Sequence, residues 1–300
     1  MQVVVDRLVA ALGQLILGKE REIRLALCCV LARGHLLLED LPGMGKTTLA
    51  QGLATLLGLD YQRVQFTSDM LPADLLGVSV FEQQREFVFH PGPVFTQVLL
   101  ADEINRGSPR TQSALLEAMA ERQVSIDRQT RLLPSPFFVI ATQNPQDQAG
   151  TYPLPESQLD RFLMCLSLGY PGRETEKRML LQTARPALHA QLAAGELLQM
   201  QAAVAQVRVA NAALDYLLDL VETSRTPGLV PNALSPRASQ ALMAAAQAWA
   251  YMAGRDHVLP DDIQEVFGAV AEHRMRHQTQ SGGRRHQLSQ SLLGRVDPLR

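Results

Sequence analysis

Apolar positions at helical spacing open the chain: Val4, Val5, Leu8, Leu12, Leu15 and Ile16 fall on one face. Gly18-Lys-Glu20 breaks that helix, and a second apolar helix runs to Ala32. The short run 35–38 reads as a buried strand, and helical spacing returns in Leu49-Ala-Gln-Gly-Leu-Ala-Thr-Leu-Leu57. Tyr61-Gln-Arg-Val-Gln-Phe66 alternates as a half-buried strand does. A long excursion, 67–93, holds a helix-like piece, Pro72-Ala-Asp-Leu-Leu76, and two alternating runs, 78–82 and 86–90, that predict a hairpin. Such excursions usually carry partner contacts. His90 stands before its closing proline turn and is assigned a structural role.

Val98-Leu-Leu-Ala-Asp-Glu103 and Phe137-Phe-Val-Ile-Ala-Thr-Gln-Asn144 are continuous apolar runs of the kind found in parallel sheets. Between them, Ser108 and Pro109 start a helix that reaches Glu121. The stretch 123–133 then alternates and predicts a second, Arg-rich hairpin, whose tip is either a solvated turn or, in a ring, a pore element. A short helix ends at Asp160-Arg161, just before an apolar strand, 162–168. Beyond Pro171-Gly172 the chain becomes Ala-, Leu- and Gln-rich at helical spacing. Helices are expected over 173–184, 196–203, 210–224, 236–252 and 260–277. Ser235 caps the fourth of these, with Pro236 at its first position. The pattern divides the chain into domains at 1–170 and 171–277, with 278–300 as a mobile tail. The basic residues Arg274, Arg276, Arg284 and Arg285 are expected to be solvated.

A chain of 300 residues buries roughly three quarters of its unfolded surface. Hydrophobic residues make up 46%, enough for a globular core. Lys+Arg 28 against Asp+Glu 30 leaves a net charge of −2, so no bulk positive field draws nucleic acid. Cys28, Cys29 and Cys165 lack metal-ligand spacing and read as buried thiols in a reducing cytoplasm. Asp6 and Arg7 interrupt the opening apolar pattern, which is therefore no signal peptide. No apolar run reaches the length of about 18 residues that a membrane span needs.

The densest chemistry lies in Glu39-Asp-Leu-Pro-Gly-Met-Gly-Lys-Thr-Thr48. Strand, Gly-rich turn, Lys-Thr and helix is the context of a phosphate-binding loop. Gly43 and Gly45 let backbone N–H groups turn inward on a polyphosphate. The helix N-terminus near Lys46 adds free donors and a positive dipole end. Lys46 is placed to reach the β- and γ-phosphates, and the Thr47 hydroxyl to ligate Mg²⁺. Asp40, Pro42, Gly43, Met44, Gly45, Lys46, Thr47 and Thr48 are taken as the ATP-binding set. Asp40 stands where the strict spacing asks for glycine; the plain alternative is a Gly-Pro turn before a helix.

Asp102 and Glu103 end a buried strand, where ligands of parallel sheets bind. Asp102 is assigned to Mg²⁺ through water, and Glu103 to the general base for the attacking water. The amides of Gln143 and Asn144 close the next strand and could orient water or sense a γ-phosphate. Arg161 is either a surface ion pair or a charge-stabilising group. Arg237 sits in a helix's first turn, where a cation opposes the dipole, and so suits an anionic partner. The Gly18-Lys-Glu20 break either borders an adenine or is a plain turn.

Glu39 to Thr48 and Leu100-Ala-Asp-Glu-Ile-Asn-Arg106 together resemble the AAA+ ATPases and, more narrowly, the MoxR family. The stretch 101–120 and Gly150-Thr-Tyr-Pro-Leu-Pro-Glu156 through Phe162 carry that narrower likeness. Ser235-Pro-Arg-Ala238 and the run to His273-Arg274 extend it over residues 5–277. Asp40 in the phosphate loop is familiar in that family. The resemblance implies an α/β fold: an αβα P-loop domain on a parallel sheet, followed by an α-helical lid. It implies a ring, usually a hexamer, with ATP and Mg²⁺ between subunits. It matches 67–93 to an insertion in the second helix and 123–133 to the hairpin before the sensor strand. Asn144 matches sensor 1, Arg161 the arginine finger and Arg237 sensor 2. Family members act as chaperone-like motors that assemble or insert metal cofactors, often with separate partners containing a von Willebrand factor A domain. The rival readings are a Mg-chelatase-like or nucleic-acid-translocating AAA+ machine, and a nucleotide-dependent scaffold with little turnover. The charge of −2 opposes the nucleic-acid version, and Glu103 with Arg161 opposes the scaffold.

Overall fold

The computed structural model describes residues 2–81, 86–144, 150–181, 187–276 and 287–298. Helices α1 (Gln2–Gly13) and α2 (Glu20–Leu31) lead into strand β1 (Leu36–Glu39), the phosphate loop and helix α3 (Lys46–Leu57). Strand β2 (Tyr61–Gln65), helix α4 (Pro72–Leu76) and the antiparallel pair β3 (Gly77–Phe81) and β4 (Phe87–Pro91) follow. Strand β5 (Val98–Asp102) leads through a single 3₁₀ turn to helix α5 (Pro109–Glu121), which Ser108 caps by accepting from the Thr111 N–H. A second hairpin, β6 (Gln123–Ile126) with β7 (Gln129–Leu132), precedes strand β8 (Phe138–Gln143). Helix α6 (Glu156–Leu159) and strand β9 (Met164–Leu166) complete the α/β part.

The sheet has five strands in the order β2-β5-β8-β1-β9, all parallel. Alternate residues of each strand face opposite sides. Leu36, Leu38, Leu100 and Ile140 join α1, α2 and α3 in one core. Leu37, Leu99, Val139 and Ala141 join Leu75, Leu115, Leu116 and Met119 in the other. This pattern explains why the three central strands read as unbroken apolar runs. His35 is buried just before β1; its Nδ1 accepts from the Val139 N–H at 3.0 Å, and its Nε2 lies 3.3 Å from the Met119 carbonyl.

The boundary expected at Pro171-Gly172 falls in the loop after β9. Beyond it lie helices α7 (Arg173–Leu181), α8 (Glu196–Val204), α9 (Asn211–Ser224), α10 (Pro236–Met252), α11 (Pro260–Met275) and α12 (Gln287–Leu293). Two short strands, β10 (Arg208–Val209) and β11 (His257–Val258), tie the starts of α9 and α11 together. The helical lid is not set apart from the sheet domain. Its Leu217, Leu220, Leu242, Val266 and Phe267 share one apolar cluster with Leu8, Leu12, Ile23 and Leu27 of α1 and α2. Burial of that shared surface, at about 25 cal/mol per Å², holds lid and sheet domain against each other.

Two expectations are corrected. Part of the stretch 278–300, taken as a mobile tail, is helical: α12 packs with Leu292 buried, and Glu272 accepts from the Leu288 and Ser289 N–H groups at its start. Arg274 and Arg276 are not surface cations free in solvent; each is ion-paired with a carboxylate on the α/β part. Arg284 and Arg285, the turn 83–85 and residues 182–184 lie outside the described residues.

Candidate nucleotide cleft

The carboxyl ends of β1, β5 and β8 are level, because Glu39 is paired with Gln143 and Ala101 with Ala141. The phosphate loop leaves β1 there. Gly45 precedes α3 at φ 89° and Gly43 stands at φ 83°, the left-handed region that side chains disfavour. No atom lies within 4 Å of a Cβ built on Gly43, so conformation rather than space asks for glycine. Lys46 opens α3, and its ammonium donates to the carbonyls of Asp40 and Leu41.

A cleft of about 1040 Å³ runs along this edge. Residues 42–48, Asp102, Glu103 and Asn144 all line it, so most of the expected ATP and catalytic set converges. Its far side is formed by residues 14–17, Lys19, Gly169-Tyr-Pro171 and α7. The Gly18-Lys-Glu20 break therefore borders the cleft, and Lys19 Nζ donates to the Tyr170 carbonyl at 3.0 Å across its rim.

Asp40 stands apart. It is 3% exposed, and its carboxylate accepts from the Ser167 hydroxyl and from the Leu168 and Gly169 N–H groups. The side chain taken as a nucleotide contact instead fastens the start of the loop to the segment after β9.

Asp102 is held on both oxygens. Its Oδ2 accepts from Arg63, 2.7 Å from Nη2 and 3.1 Å from Nε, and its Oδ1 accepts from the Thr142 hydroxyl at 2.6 Å. Thr142 also accepts from the Glu103 N–H at 2.9 Å. Glu103 has φ 55°, unusual for a residue with a side chain, and it starts the 3₁₀ turn. Its carboxylate takes the Gln65 amide and the Arg106 guanidinium, each at 2.8 Å. The Thr47 hydroxyl and Asp102 carboxylate are hard oxygen donors on one cleft, the kind that Mg²⁺ accepts. Among the described residues no group of three His, Cys, Asp or Glu could hold a metal, so Mg²⁺ bound here would rely on few protein ligands and on phosphate oxygens.

Arg63, Gln65, Arg106 and Thr142 were not singled out from the sequence. Arg63 and Gln65 share one face of β2 by period two, but their pairing with Asp102 and Glu103 depends on β2 lying beside β5. Gln143 turns from the cleft to Glu39.

Arg161 and Arg237 do not line this cleft. Arg161 Nη1 donates to the Leu116 carbonyl at 2.7 Å. Arg237 is 60% exposed, with Nη1 3.8 Å from Asp160 Oδ2. Asp160 also accepts from the Ser235 hydroxyl at 3.2 Å and from Arg274 Nε at 2.7 Å. Burial lowers the Arg274 pKa, and the Asp160 carboxylate opposes that shift.

Residues 35–164 match the ATPase family associated with various cellular activities (AAA), and residues 230–291 match the AAA lid domain. The chain is 45% identical to the uncharacterized protein YeaC of Bacillus subtilis, over 88% of this chain and 84% of that protein. It is 40% identical to the chaperone MoxR1 of Mycobacterium tuberculosis, over 90% of this chain and 75% of that one. It is 35% identical to the protein MoxR of Paracoccus denitrificans, over 89% and 86%. A crystal structure of a candidate ATPase from Cytophaga hutchinsonii superposes with a TM-score of 0.88 at 34% identity, covering 99% of this chain and 95% of that one.

Proposed function

The chain belongs to the MoxR family of AAA+ ATPases, and from that membership we propose that it is an ATP-hydrolysing ring motor that remodels a separate protein client. One observation carries the reading. The cleft gathers the phosphate loop, Asp102, Glu103 and Asn144, while Arg161 and Arg237 stand outside it beside Asp160. A cleft complete but for its arginines, and arginines without a cleft, fit a site shared between neighbouring copies.

In this reading Lys46 leaves the Asp40 and Leu41 carbonyls for the β- and γ-phosphates, where its charge offsets theirs. Thr47 and Asp102 would hold Mg²⁺, which would supply further charge neutralisation. Glu103 takes the proton of the attacking water. Its Oε2 already takes Gln65 and Arg106, which orient the carboxylate. Asn144 orients the water or the γ-phosphate. Arg161 reaches the γ-phosphate of the adjoining subunit, where a guanidinium stabilises the charge that phosphoryl transfer spreads over its oxygens; Arg237, at the sensor 2 position, serves the nucleotide of its own subunit or of the adjoining one. The insertion 67–93 and the β6–β7 hairpin face the client. A hexamer, and a separate partner with a von Willebrand factor A domain, complete the proposal on family likeness.

Steady-state ATPase measurements on mixed rings test this. Arg161→Ala and Glu103→Gln subunits should each be nearly inactive alone, falling about 10³–10⁵-fold for the finger and about 10²–10⁴-fold for the base. Mixed under exchange conditions they should recover activity, because the Arg161→Ala cleft borrows its neighbour's arginine. No recovery in mixed rings verified by native mass spectrometry rejects the shared site. Stimulation of the wild-type rate by added DNA would favour a translocase over a protein remodeller.

A further inference from the structure

The end of α11 carries two arginines that reach into the α/β part, and neither belongs to the catalytic set. Arg276 is ion-paired with Glu39, the last residue of β1. The Glu39 side chain is 7% exposed, and its other oxygen accepts from the Gln143 amide, its register partner on β8. Glu39 directly precedes the phosphate loop, and Gln143 directly precedes Asn144.

Arg274 lies two residues earlier, with a side chain 5% exposed. Besides Asp160 Oδ1 it donates to the carbonyls of Asp160, Phe162 and Leu163. Asp160 directly precedes Arg161. Asn232 reinforces the same junction. Its amide donates to Glu156 Oε1 at 2.8 Å and to the Arg276 carbonyl at 3.2 Å. One helix end therefore grips the strand ends that frame this subunit's own cleft. It also grips Asp160, the residue before Arg161.

Buried ion pairs add little net stability, because desolvation offsets their attraction, yet breaking one partner is costly. Burial works to lower the Arg276 pKa, and the nearby Glu39 carboxylate leads the contacts that raise it above its usual value. We propose that Glu39, Arg276 and Arg274 form a positioning relay. Through it, the phosphate-loop state in one subunit's cleft sets the pose of the Arg161 that serves the next subunit. The relay rests on the reading of Arg161 as a shared-site finger.

Rings of Arg161→Ala subunits with Glu103→Gln donors set the reference rescue. The donor is then changed to carry Glu103→Gln and Arg276→Ala together. Rescue should fall about fivefold or more, the range of ordinary coupling between sites. The donor's affinity for a fluorescent ATP analogue and its assembly into mixed rings should stay within about twofold. Arg276→Lys in the same donor should restore most of the rescue, because Arg276 meets Glu39 through a single guanidinium nitrogen. Glu39→Gln, which keeps shape and loses charge, gives the same reading should the alanine donor fail to assemble. Undiminished rescue from either donor overturns the relay and leaves a purely structural ion pair. Absence of rescue from the Glu103→Gln reference overturns the shared site itself, and the relay with it.

Discussion

Thr142 shows how much one hydroxyl does at this site. It donates to Asp102 and accepts from the N–H of Glu103, whose backbone is held at φ 55°. Thr142→Val keeps the shape and leaves a buried acceptor and donor unpaired, at about 1–3 kcal/mol each. We expect ATP affinity by calorimetry to change little and turnover to drop at least tenfold, as the base loses its placement. An unchanged turnover would remove Thr142 from the site. Lys46→Ala should instead abolish ATP binding, and an unaltered binding isotherm would reject the phosphate-loop assignment. The residues legible in advance were those that stand together in a contiguous motif: the loop 42–48 and the adjacent Asp102 and Glu103. Arg63, Gln65 and the contacts of Asp40 with Ser167, Leu168 and Gly169 depend on strands that meet only after a non-sequential sheet order is set.

Among the elements, α10 begins and ends where its sequence says, because Ser235 accepts from the Ala238 N–H and Pro236 fixes the first turn. The strands β10 and β11 gave no such signal; two residues are too few for a period. Helix α12 was hidden by the Gly-, Ser- and Arg-rich run before it. The insertion hairpin is rooted by Gly77, where φ is 100° and an added Cβ would sit 2.4 Å from the His90 carbonyl. Both the strained φ and the backbone clash predict that Gly77→Ala lowers stability by about 2 kcal/mol or more. A thermal melt that shifts by less than a degree would contradict this. The paired strand ends Phe81 and Phe87 are 58% and 75% exposed, with ring centroids 5.1 Å apart. Arg131 of the β6–β7 hairpin lies over Phe89, 3.9 Å from its centroid, so the two hairpins form one surface. Phe81→Ser with Phe87→Ser should leave basal ATPase within about twofold, since neither touches the cleft and surface changes of this kind are usually mild. A large loss of basal rate in assembled rings would place the insertion within the chemistry.

For the molecule as a whole, two buried histidines set the acid limit. Burial lowers the His35 pKa to about 4, and burial with Arg274 and Arg276 nearby lowers that of His273 well below its usual value. Between the unfolded value of about 6.5 and the folded one, the unfolded chain binds more protons. Stability is therefore complete above pH about 6.5 and falls as pH drops toward 4, by on the order of 3 kcal/mol for His35 alone. Urea unfolding at pH 7 and pH 5 should show the loss, and equal midpoints would refute it. The apolar cluster that runs from α1 and α2 into the lid carries a different consequence. Neither part of the chain owns a complete interior, so the unit of cooperativity is the whole chain rather than either segment. A calorimetric scan should give one endotherm with matching van't Hoff and calorimetric enthalpies. The 1–170 segment made alone should be proteolysed at sites the intact protein protects, with α2 bared where the lid had covered it.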